Sequence, residues 1–200
     1  MSHFFEDNPV KQTNKFRGKY RIESTRLKNW DYSSEGAYFV TLCTQNREYF
    51  FGDIVDGTMN YSRTGEMVAK EWENTKNIRS NVELDKWIVM PNHIHGIVVI
   101  KNSNAKTRHV ETHCNASLRR KSSSNQFGPQ SHNLASIIRG FKGASTKQIH
   151  VEGFMTFAWQ PRFYDHIIRD ENDLNRIREY IINNPIKWNS DRNNLENLYM

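Results

Sequence analysis

The chain has 200 residues, 36% of them hydrophobic, and its 28 Lys and Arg outnumber 22 Asp and Glu to leave a net charge of +6. That length suits one domain with a proper core, and the positive balance suits an anionic partner. Two cysteines exclude a disulfide framework. The lack of any apolar run of membrane-spanning length excludes a helical membrane protein, and with no signal-peptide pattern at the start the expected location is the cytoplasm.

In chain order, 1–19 reads as a flexible basic arm, ahead of a single domain over 20–200. Lys11, Lys15, Arg17, Lys19, Arg21, Arg26 and Lys28 stand against one acid, Glu23, with Phe16 and Tyr20 interleaved. A basic, aromatic arm can track phosphates and stack on unpaired bases, although a solvated extension has the same composition. A strand is expected over 38–44, with Cys43 buried in it as a free thiol. Turns follow at Gly52-Asp53 and Asp56-Gly57. The spacing then predicts a helix over 62–78. Ser62 is its cap, Glu66 a candidate to complete a capping box, and Met67, Val68, Trp72 and Thr75 its inner side.

Two β-branched runs, Trp87-Ile88-Val89-Met90 and Ile97-Val98-Val99-Ile100, flank Pro91-Asn92, a pair that starts turns. The stretch 101–133 is polar and too poor in apolar residues to fold alone, which reads as a mobile loop. Within it His109, His113 and Cys114 lack the partner set a zinc site needs. A second helix is expected over 133–149, with Leu134, Ile137, Ile138, Phe141 and Ser145 on one face. Its Arg139, Lys142 and Lys147 are left for DNA or solvent. The last strand should lie within 154–168, where Pro161 implies a bend or an edge position.

Two segments carry the chemistry. In Met90-Pro91-Asn92-His93-Ile94-His95, strand alternation points His93 and His95 to one side and Ile94 to the core. Two imidazoles so placed can chelate one divalent ion, although a solvent-facing pair would show the same spacing. Gly96 beside them is expected to leave room for a phosphate or backbone.

The second segment, Tyr180-Ile181-Ile182-Asn183-Asn184-Pro185, reads as the end of a helix. Asp170 is its cap, with Glu171 and Asp173 in the first turn where the helix dipole favours acids. Leu174, Ile177 and Ile181 form the buried stripe. Asn184 lies four residues past Tyr180 and returns to its side, and Pro185 stops the helix there. A half-buried aromatic followed by an ordinary stop signal would look the same.

Together these segments resemble the REP-associated tyrosine transposases, a branch of the single-tyrosine HUH transposases. The resemblance runs from Tyr20 to Trp188. It is also carried by Trp30-Asp31-Tyr32, by Tyr38-Phe39-Val40-Thr41-Leu42-Cys43-Thr44, by Trp159-Gln160 and by Tyr164-Asp165-His166-Ile167-Ile168-Arg169. It implies that His93 and His95 are metal ligands, that Asn184 completes the protein's share of the shell, and that Tyr180 is the nucleophile.

Helices alternating with an antiparallel hairpin indicate an α+β fold. The resemblance sharpens this to a ferredoxin-like, RRM-like antiparallel sheet with helices packed on one face. Mixed nitrogen and oxygen ligands suit Mn²⁺, and Mg²⁺ is acceptable where substrate oxygens dominate.

The implied reaction is cleavage and rejoining of single-stranded DNA near hairpin-forming repeats, through a 5′-phosphotyrosine. A phenol with a pKa of about 10 needs help to ionise. His166 is one candidate for that help, or else a packed histidine bonded to Asp165. Arg139, Lys142 and Arg162, with the arm residues Lys15, Arg17, Lys19, Arg21 and Arg26, are the expected backbone contacts. The competing readings are an inactive RRM-like single-strand binder and a rolling-circle HUH initiator. Members of the wider family work as dimers that exchange the tyrosine helix or as monomers, so both states stay open.

Overall fold

The computed structural model describes residues 15–16, 19–20, 27, 30–101, 133–191 and 193–194. The expected polar loop and most of the expected basic arm therefore lie outside the described residues. Two very short strands, β1 (Lys15–Phe16) and β2 (Lys19–Tyr20), pair antiparallel ahead of the main body.

The main sheet is antiparallel throughout and four strands wide. It is built from β3 (Gly36–Cys43), β6 (Val82–Met90), β7 (His93–Ile100) and β8 (Tyr164–Ile168) in the spatial order β6-β7-β3-β8. Strand alternation divides it into two faces with different duties. Tyr38, Val40, Leu42, Ile94 and Val98 point to one side and form the larger core. Two helices, α1 (Arg63–Ile78) and α2 (Leu134–Val151), cover that side. Phe39 and Ile97 point to the other, where α3 (Glu171–Asn183) sets Ile177 and Ile181 against them. The fold class is the expected one. What helical periodicity did not place is the closing helix, which lies across the sheet from the other two.

The caps follow the residue chemistry. Ser62, Asn133 and Asp170 each accept a backbone N–H of the first turn, from Gly65, Ser136 and Asp173 respectively, offsetting donors that a helix start leaves unpaired. The expected capping box at α1 is absent, because the third helical position is Gly65 and Glu66 falls one residue too late. Gly65 is there for space: a Cβ would stand 2.1 Å from the Phe51 carbonyl oxygen.

Between β3 and α1, a hairpin joins β4 (Gly52–Val55) to β5 (Thr58–Tyr61). Asp56 and Gly57 form its two-residue turn with φ of 49° and 71°, the left-handed pair that such turns require.

One further expectation changes. Gly96 does not open the histidine face. It points the other way, where a Cβ would lie 2.5 Å from Cζ2 of Trp72, so the missing side chain admits the indole of α1. The last strand lies within the expected stretch but occupies only its end, starting at Tyr164. Before it, Thr44 and Trp159 form an isolated bridge, and the Trp159 ring packs into the larger core against Phe51, Phe141 and Phe157. Its indole N–H donates to Ser145 Oγ at 3.0 Å. No helix among the described residues is long and apolar enough to cross a membrane.

Candidate active site

The site is assembled from the second face of the sheet, the C-terminal half of α3 and the turn that follows it. A two-residue turn at Pro91-Asn92 connects β6 to β7 with Met90 opposite His93. His93 and His95 then stand opposite Cys43 and Thr41 of β3. Both imidazoles are buried, and their Nε2 atoms approach to 3.0 Å.

Each ring is held from behind. His93 Nδ1 lies 2.8 Å from Asn92 Oδ1, and the Asn92 carboxamide is itself oriented by donating to the carbonyls of Arg47 and Asn193, each at 2.8 Å. With the Asn92 carboxamide oxygen opposite it, His93 Nδ1 carries the proton, which leaves the Nε2 lone pair facing the site. Thr41 Oγ1 plays the matching part at His95 Nδ1, 2.9 Å away.

Tyr180 and Asn184 come to the same place, as their four-residue spacing requires. The Tyr180 hydroxyl is 3.2 Å from His95 Nε2, and its ring packs edge-on against Phe39 with centroids 6.0 Å apart. The side chain remains 40% exposed, so a substrate can reach it. Asn184 is buried. Its Nδ2 donates to Asp191 Oδ2 at 3.1 Å, while its Oδ1 has no hydrogen-bond partner among the described residues.

Asp191 had no signal in the sequence. A three-residue 3₁₀ turn, Trp188–Ser190, folds the chain back after Pro185 and delivers this carboxylate within 4.8 Å of the histidine nitrogens. The turn is tied down by Asn194 Oδ1, which accepts from the Tyr49 hydroxyl at 2.6 Å, and by Asn193 Oδ1, which accepts from Arg47 Nη1 at 3.0 Å. Cys43, expected inside an apolar strand core, is half-buried instead, with Sγ 3.9 Å from Asn193 Oδ1.

This donor set fits a divalent cation. The two imidazole nitrogens, 3.0 Å apart, are close enough to bind one ion between them. Adjacent ligands around a six-coordinate ion with bonds of about 2.1 Å stand about 3.0 Å apart. The buried Asn184 oxygen, without a hydrogen-bond partner among the described residues, is the kind of group that a bound ion explains, and Asp191 adds a hard anionic oxygen suited to Mg²⁺ or Mn²⁺.

The tyrosine helix is fixed to its own sheet. Arg178 reaches Asp85 of β6 with Nη2 2.5 Å from Oδ2 and Nε 3.1 Å from Oδ1. The Arg178 hydrogen bond holds the Asp85 carboxyl below its usual range, overcoming the opposite effect of burial. His166 binds an acid, but it is Asp173 of α3, at 2.7 Å, rather than the neighbouring Asp165. Burial pushes the Asp173 carboxyl up, and hydrogen bonds from His166 and Arg176 pull it further down, for a net lowering.

The expected DNA contacts are scattered. Arg139 and Lys142 rise from α2, on the side of the sheet away from the histidines. Lys142 donates to the carbonyls of Gln160 at 2.7 Å and Arg162 at 3.0 Å, and burial pulls its ammonium down to about 8. It secures the irregular segment before β8. Arg162 is exposed on that segment. Lys15 and Lys19 fall in β1 and β2, and Arg17, Arg21 and Arg26 lie outside the described residues.

No family model matches the chain. An uncharacterised protein of Haemophilus influenzae is 37% identical over 175 residues, covering 88% of this chain and 94% of the relative. Among solved structures, a REP-associated tyrosine transposase bound to a REP hairpin superposes with a TM-score of 0.54 at 21% identity. The match covers 84% of this chain and 74% of the other, and it establishes a shared fold.

Proposed function

We propose that this chain, which belongs to the same family as the Haemophilus influenzae protein, is a tyrosine transposase of HUH type that cleaves and rejoins single-stranded DNA beside hairpin-forming repeats. The observation that carries the reading is the meeting of a phenol, two lone-pair nitrogens and an unpartnered amide oxygen at one point. Tyr180 comes within 3.2 Å of His95 and Asn184 Oδ1 is buried without a hydrogen-bond partner among the described residues. A fold shared with a hairpin-bound transposase supports the choice of substrate.

His93, His95 and Asn184, with Asp191 beside them, would hold Mg²⁺ or Mn²⁺. When bound, such an ion neutralises charge on the scissile phosphate and polarises its non-bridging oxygen. The protein's own part is to fix the donors and the nucleophile. Asn92 and Thr41 set the two rings, and α3 holds the phenol against Phe39. Tyr180 Oη attacks phosphorus, an Oη–P bond forms, and the P–O3′ bond breaks. The phenolic proton is released to solvent and the departing 3′-oxygen takes one up, leaving a 5′-phosphotyrosine and a free 3′-hydroxyl. Attack by another 3′-hydroxyl reverses the step and rejoins DNA, because the phosphotyrosine conserves the bond energy. His95 Nε2, 3.2 Å from the Tyr180 hydroxyl, also faces the proposed cation position, so His95 is read as ligand rather than base. The Arg178–Asp85 pair holds α3 to β6 within the chain, which supports a tyrosine that serves the histidines of its own chain.

The test uses labelled single strands from the repeats flanking the gene, incubated with Mn²⁺ or Mg²⁺ and run on denaturing gels. A metal-dependent protein–DNA adduct is expected for the wild type. It should vanish in Tyr180→Phe and in the double variant His93→Ala/His95→Ala. Tight hairpin binding without any adduct would mean a DNA-binding relic and would end the catalytic claim.

A further inference from the structure

The open part of the active-site face carries a second exposed phenol. Tyr164 is the first residue of β8, an edge strand of the sheet, and it sits opposite Thr41, which in turn sits opposite His95. The three residues therefore form one cross-strand row on one face. Two strand spacings separate Tyr164 from His95, a distance of roughly 10 Å.

Tyr164 is 48% exposed. Its ring leans edge-on against Phe39, with centroids 6.3 Å apart and planes at 69°. Phe39 holds Tyr180 in a similar edge-on way, at 89°. One buried phenylalanine thus supports both phenols. An open cleft of about 580 Å³ runs between them, with Arg176 and Lys187 on its walls beside Tyr180, Asn184 and Asp191.

Folding does not require this arrangement. An edge strand gains little from a large aromatic left half in solvent, whereas an aromatic ring beside cationic side chains is what a single-stranded nucleic acid binds. From the transposase reading, on which this rests, we infer that Tyr164 is a stacking platform for the base of a nucleotide adjoining the scissile phosphate, with Lys187 and Arg176 against the neighbouring phosphates. Stacking accepts any base, so Tyr164 sets where the strand lies without choosing its sequence. A phosphate at the histidines then has its neighbouring base anchored one row-length away, which fixes the line of attack for Tyr180.

The experiment uses the full chain carrying Tyr180→Phe, so that bound DNA is not cut. Single strands from the repeats flanking the gene carry 2-aminopurine at one position at a time, and fluorescence and affinity are read on binding. One position next to the cleavage point should be quenched with Tyr164 present and also with Tyr164→Phe. In Tyr164→Leu, which keeps an apolar side chain on the edge strand, that quenching should disappear and binding should weaken about tenfold. Circular dichroism and melting would verify that the variant is folded. Unchanged quenching and affinity in Tyr164→Leu would overturn the stacking role while leaving the transposase reading intact. Failure of the parent protein to bind any of the strands would overturn both.

Discussion

Thr41 shows how a small side chain can govern the chemistry of a large one. Its hydroxyl lies 2.9 Å from His95 Nδ1 and contributes nothing to the substrate cleft. Replacing it as Thr41→Val keeps the volume and removes this hydroxyl from the ring nitrogen. Outer-sphere partners of metal-binding histidines typically govern 10–100-fold in affinity. Thr41→Val should therefore weaken Mn²⁺ binding by about 10–100-fold in isothermal titration without DNA, and affinity equal to wild type would remove Thr41 from the site. Asn92 is a poorer probe, because its carboxamide also ties together the backbone of Arg47 and Asn193. At this scale the histidines, Tyr180 and Asn184 were legible from spacing and resemblance alone. Asp191 was not, since it lies seven residues past Asn184, beyond a proline, and nothing local marks the turn that brings it back.

At the scale of elements, the tyrosine helix is held by its cap at Asp170, its buried stripe and the Arg178–Asp85 pair. A half-buried carboxylate–guanidinium fork is worth more than a fully exposed pair, and with solvent screening losing one partner costs about 1 kcal/mol. Asp85→Asn should lower stability by about that amount at pH 7 in urea denaturation. The sign of the pH dependence follows from the lowered Asp85 carboxyl. Its stabilisation is complete above the ordinary value near 3.8 and is lost as pH falls through the lower folded value. The gap between wild type and Asp85→Asn should therefore narrow below about pH 4, and a gap independent of pH would show that the pair does not anchor α3. The helix ends were readable because caps are local chemistry. The β4–β5 hairpin was readable only as a turn, although Asp56-Gly57 is a strong hairpin signal, because its strands are short and half exposed. Within the stretch 154–168 only Tyr164–Ile168 forms the strand, because Phe157 and Trp159 are drawn into the larger core instead of continuing a ladder.

For the molecule as a whole, one sheet separates scaffold from chemistry. The face under α1 and α2 holds the larger core, and the face under α3 holds the site. Gly96 tests that division, because it adjoins His95 in sequence yet meets Trp72. Gly96→Ala should destabilise the protein by about 1–3 kcal/mol through overpacking, read by denaturation. Mn²⁺ affinity of the folded protein should stay within about twofold, well inside the change expected from losing an outer-sphere partner. A large loss of metal affinity would mean that the two faces are coupled through the backbone of β7.

By itself the sequence determined the strand that presents two imidazoles on one side, the helix that ends at Asn184, and the four-residue return from Tyr180. These depend on periods of two and 3.6 residues, which are properties of the local backbone. Only the tertiary structure decided that α3 crosses to the opposite face, that Gly96 serves Trp72, that Lys142 binds carbonyls, and that Asp191 and Tyr164 join the site. Those outcomes depend on which surfaces meet after collapse, and packing and burial between residues distant in the chain leave no period to read.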